Sequence, residues 1–120
     1  MSIMHKSKNY RDMIDDLVRM CKDGQGQIAA RRVREGIWNY NANATTIPDQ
    51  HRINLLMEQL SPSDRNTIAN MMTQEVVTGV FETLKTMEQY GIEPFAEGYE
   101  GSAYQDFIGR LSDWDWPEDS

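Results

Sequence analysis

The stretch SPSDRNTIANMMTQEVVTGVFETLKTMEQYG, residues 61–91, constrains the fold more than any other part of the chain. Ser61 is placed to cap a helix, Pro62 suits a first helical position, and Asp64 stands where the acid of a capping box belongs. Ile68, Met72, Glu75, Val76, Gly79, Val80, Leu84 and Met87 then recur at helical steps until Gly91. A helix of roughly 28 residues, about 42 Å long, follows from that spacing. So long an amphipathic element is expected to be the spine of an all-α bundle. Gly79 in its middle costs about 1 kcal/mol relative to alanine, and is expected to permit a close helix crossing.

The other periodic segments are helical too. In NYRDMIDDLVRMCKDG, Tyr10, Met13, Ile14, Leu17, Val18 and Cys21 form one apolar stripe, which predicts a helix over residues 8–23 with Gly24 as its left-handed cap. In GQIAARRVREGIWNYNANA, Ala29, Val33, Gly36, Ile37 and Tyr40 share a face, and the Asn- and Thr-rich run that follows ends the helix. Thr46 and Pro48 open a third helix, with Ile53, Leu56, Met57 and Leu60 expected to be buried. After the spine, IEPFAEGYEG reads as a loop that Phe95 and Tyr99 tie down. Ser102 with Gln105 suggests a second capping box, and Tyr104, Phe107, Ile108 and Leu111 keep helical spacing toward Pro117. The expectation is a bundle of about five helices with an irregular aromatic C-terminal segment and no strand.

A length of 120 residues fits a single helical domain, 1–120, with residues 1–7 and 117–120 as flexible ends. No apolar run approaches the roughly 20 residues that cross a bilayer, and MSIMHKSKNY lacks the apolar core of a secretory signal, so a cytoplasmic protein without membrane association is expected. The single cysteine, Cys21, excludes an intramolecular disulfide and reads as a buried filler. Net charge is −7, unevenly spread: residues 1–60 hold nine basic against seven acidic side chains, and residues 61–120 three against twelve. That field repels nucleic acid and favours encounter with a basic protein.

Catalytic and cofactor signatures are missing. No Glu-x-x-His pair is present for a carboxylate-bridged metal, His5 and His51 have no ligand at helical spacing, and DGQGQ reads as a turn between helices. No metal and no cofactor is therefore expected. The acids Glu97 and Glu100, or Asp113 and Asp115, leave open a small enzyme with carboxylates in a cleft between the long helix and the C-terminal loop. The basic cluster ARRVRE leaves open a nucleic-acid-associated protein using Arg31, Arg32 and Arg34, although these arginines fit better as partners of the acidic half, within the fold or across a homodimer.

The chain closes on RLSDWDWPEDS. Tryptophans dominate binding hot spots and surrounding acids select basic partners, so Tyr99, Glu100, Asp113, Trp114, Asp115 and Trp116 are the candidate contact residues of a non-enzymatic protein-binding domain. Trp114, continuing the last helix, is expected to pack in the core, and Trp116 to be the more exposed ring. GYEGSAYQDFIGRLSDWDWP, with the upstream LSPSDRNTIANMM, resembles the C-terminal pattern of small bacterial proteins classed as a family of unknown function. The resemblance covers the second half and implies no activity. In size and acidity the chain is also similar to immunity proteins that neutralise basic nuclease toxins, which implies a toxin-neutralising or adaptor role.

Overall fold

The computed structural model describes residues 8–95 and 101–116, and among these there is no strand. The elements are α1 (Lys8–Lys22), a short 3-10 turn (Gln25–Gln27), α2 (Ile28–Glu35), α3 (Pro48–Gln59), α4 (Pro62–Gln89) and α5 (Ala103–Leu111). The all-α expectation holds. Two compact units share the chain, one made of the chain up to Cys21 and from Val77 onward, the other of Lys22–Val76. The expected flexible ends, 1–7 and 117–120, lie outside the described residues.

The unit of Lys22–Val76 is built on alanines. Ala30, Val33, Met57 and Ala69 are buried together, with Trp38, Ile53, Leu60, Ile68 and Met72 packed against them. Gln27 is hydrogen-bonded to Thr73, and Arg34 donates to Asn66 and Asn70 at 3.1 and 2.9 Å. Positions rising along α2 thus meet positions falling along α4, so these helix stretches lie antiparallel. Two fully buried alanines allow the backbones to approach closely.

Gly36 is not on the apolar face of α2 but ends the helix. It adopts φ 83°, its N–H reaches the Val33 carbonyl, and the Ile37 N–H reaches the Arg32 carbonyl. A left-handed residue there satisfies carbonyls that a helix end leaves without partners. Gly24, at φ −106°, is not a left-handed cap. Nor does Thr46 cap α3: its N–H is taken by the Asn43 side chain, and Ile47 occupies the cap position at φ 54°. In α3 Met57 is buried and Ile53 and Leu60 partly so, but Leu56 is 52% exposed. The run Leu55-Leu56-Met57 surrounds the helix with apolar groups, and only one of them can face the core.

In the other unit, Tyr10, Ile14 and Cys21 of α1, Leu84 of α4, and Ala103 and Phe107 of α5 are buried. Burial pushes the Cys21 thiol up from its ordinary value, so it stays protonated, in line with an apolar filler. Phe81 meets Tyr104 edge-on at 5.2 Å, and Phe95 meets Tyr10 edge-on at 5.5 Å, as expected of a loop residue tied to the helices. Ser61 Oγ accepts from the Asp64 N–H and starts α4 as predicted. At α5 the second capping box is absent: Ser102 Oγ accepts no local N–H and instead donates to Glu88 Oε2 at 2.7 Å. Gly79 and Glu75 are both exposed, and a methyl group on Gly79 would meet nothing within 4 Å, so no helix among the described residues crosses there.

Candidate functional site

The C-terminal segment is organised by the end of α5. Asp113 adopts φ 62°, its N–H bonds to the Arg110 carbonyl at 3.2 Å, and the Trp114 N–H returns to the Gly109 carbonyl at 2.9 Å. This is the left-handed capping turn of Gly36 again, with aspartate in place of glycine, one of the few side chains that enters this region readily. The turn reverses the chain, so Trp114 does not continue the helix. Its ring folds back over Gly109, where a methyl group would lie 3.3 Å from it.

Trp116 is thereby carried to α1. Its indole N–H donates to Asp15 Oδ2 at 3.1 Å, and its ring meets Tyr10 edge-on at 6.0 Å and Trp114 at 5.5 Å. Arg110 locks the segment from the other side. Its Nε donates to Asp15 Oδ1 at 2.7 Å, its Nη1 to the Trp114 carbonyl, and its guanidinium lies 5.6 Å from the Trp116 ring. A cation within about 6 Å of an indole face is attracted to it, and the partly buried setting of the Asp15–Arg110 pair reduces screening. Beneath, the buried Tyr10 hydroxyl donates to Asp106 Oδ2 at 2.6 Å. Asp106 lies in the first turn of α5, where the helix dipole favours a carboxylate.

The two tryptophans are thus the reverse of the sequence expectation. Trp116 is half-buried and held by Asp15, whereas Trp114 is 39% exposed, beside exposed Asp113 and Asp115. Ile108, on the same C-terminal element, is also 39% exposed. Tyr99 and Glu100 lie outside the described residues, as does Glu97. Sequence reasoning missed Asp15 and Arg110, because three closely spaced aspartates in α1 look alike: Asp12 pairs with Lys8 and Asp16 with Arg19, and only Asp15 turns to the tail.

The arginine cluster divides. Arg34 is used within its unit, bound to Asn66 and Asn70, whereas Arg31 and Arg32 line a cleft of about 390 Å³ with Ile28, Glu35, Trp38 and Tyr40. On the C-terminal half of α4, a shallow depression is lined by Glu82, Thr83, Thr86 and Met87, with a single carboxylate. Among the described residues no group of three His, Cys, Asp or Glu is arranged to hold a metal ion. No helix among them is long and apolar enough to cross a membrane.

A family model described as a family of unknown function (DUF6547) matches residues 4–118, and the chain belongs to that family. The match takes in both halves of the chain rather than the second alone. No curated protein and no solved structure matches it.

Proposed function

We propose that the chain acts by binding another protein, with Trp114, Asp113 and Asp115 as the contact surface for a basic partner. The observation that carries this reading is the mounting of Trp114. Its N–H and carbonyl are both held, by Gly109 and Arg110, and its ring rests on α5 while 39% of the residue remains open. An aromatic anchor fixed before contact loses little freedom on binding, which is where much of the cost of association lies. The flanking acids and the net charge of −7 favour a cationic surface opposite. Neutralisation of a basic toxin is the most concrete form of the role, and an adaptor the next. A cytoplasmic setting accords with a single, buried cysteine, Cys21.

Capture from cell lysate on immobilised wild-type chain, on Trp114→Ala and on Arg31→Ala tests this. The expectation is a basic protein retained by wild type and by Arg31→Ala, lost from Trp114→Ala, and associating more slowly as salt is raised. Equal retention by Trp114→Ala, or capture indifferent to salt, would overturn the reading.

A further inference from the structure

We infer that the cleft beside α2 is a binding site for a small ligand joining an aromatic ring to a phosphate, of the nucleoside monophosphate class. It lies in the unit of Lys22–Val76, and it stands independently of the role assigned to Trp114.

The fold leaves two arginines of α2 at this cleft. Arg31 and Arg32 line the cleft one residue apart, and neither is paired with a carboxylate among the described residues, although Glu35 lines the same cleft within one helical turn. An i,i+4 or i,i+3 pair with Glu35 would be the ordinary resting arrangement on a helix surface. Arg32 instead spreads over Trp38, its guanidinium 5.7 Å from the ring centre. A guanidinium held near an indole face retains N–H groups that can donate two parallel hydrogen bonds to a phosphate.

The wall of the cleft is fixed in advance. Asn54 Oδ1 accepts from the N–H groups of Trp38 and Asn39 at 2.7 and 3.1 Å, and Asn54 Nδ2 donates to the Asn39 carbonyl at 2.7 Å. The Asn39 side chain in turn accepts from the Asn41 N–H at 2.9 Å. Tyr40, which is 77% exposed, and Asn41 continue this wall and line the same cleft. An exposed ring offers a stacking face for a base, and amides suit the donor and acceptor edge of one.

Size and charge then choose the ligand. About 390 Å³ is within the range of small-molecule sites. Two cations match one phosphate. A polynucleotide would need a row of them, and two neighbouring arginines are held within the fold: Arg34 by Asn66 and Asn70, and Arg65 by the Leu60 carbonyl and against Gly36. The net charge of −7 opposes a long polyanion far more than a single phosphate.

The test is titration of the full chain with adenosine 5′-monophosphate, adenosine, inorganic phosphate and a ten-nucleotide single-stranded DNA, followed by backbone and indole amide NMR. The expected result is saturable binding of the monophosphate with shifts at Trp38, Asn39 and Asn41, and at least about tenfold weaker binding of adenosine or phosphate alone. Arg31→Gln and Arg32→Gln should each weaken the monophosphate by about tenfold, as loss of a charge-assisted hydrogen bond implies, and Tyr40→Ala by several-fold. These side chains are exposed, so melting temperatures should stay unchanged. No saturable binding up to millimolar monophosphate would overturn the proposal, as would affinity indifferent to both arginine variants. Phosphate alone binding as tightly as the monophosphate, or the oligonucleotide binding far more tightly, would overturn it in favour of a simple anion site or a nucleic-acid surface.

Discussion

Gly36 shows how much one residue decides in this chain. At φ 83° a side chain is strained whatever the space around it, and here the Arg65 guanidinium stands 3.3 Å from where a methyl group would sit. Gly36→Ala is therefore expected to cost about 1–2 kcal/mol, as left-handed backbone does for an L-residue, and to be measured by urea unfolding. An unchanged midpoint would mean that α2 ends by another turn. Asp113 carries the same conformation without glycine, and that is why the reversal after α5 was not legible: nothing in LSDWDW marks aspartate as a left-handed cap. Trp114 was accordingly read as a continuation of the helix. Asp15 was hidden for a different reason, since its partners Arg110 and Trp116 are about a hundred residues away in sequence.

At the scale of elements, periodicity located the helices because their apolar stripes are set by local geometry. α1 was expected at 8–23 and runs Lys8–Lys22, and α4 starts on Pro62 behind its Ser61 cap. What failed were the details that depend on distant neighbours. Ser102 had two competing uses, a local cap or Glu88, and the long-range partner won. Gly79 suggested a crossing helix, yet the space over it is open. That gives a prediction with a definite sign: Gly79→Ala should raise stability by about 0.5–1 kcal/mol and the melting temperature by several degrees. A fall in melting temperature would show a neighbour packed on this face of α4.

For the whole molecule, the arginine pair and the acidic tryptophan tail belong to different units. Asp113 and Asp115 flank the partly exposed Trp114 beyond the end of α5, and Arg31 and Arg32 line a cleft in the other unit. The sequence made both clusters visible as composition, but which members would be consumed by folding was a matter of tertiary pairing. Arg34 and Trp116 are consumed, whereas Arg31, Arg32 and Trp114 are presented. The account of the tail rests on that division between the two tryptophans, and the most direct measurement is equilibrium unfolding of Trp114→Ala and Trp116→Ala, made separately. Trp116→Ala removes the hydrogen bond to Asp15 and the edge contact with Tyr10, and should cost about 3 kcal/mol, the lower end for truncating a packed tryptophan. Trp114→Ala should cost less, about 2 kcal/mol, because 39% of the residue already faces water. A larger loss from Trp114→Ala than from Trp116→Ala would contradict the account, since Trp114 would then be the anchor of the fold and not its presented surface.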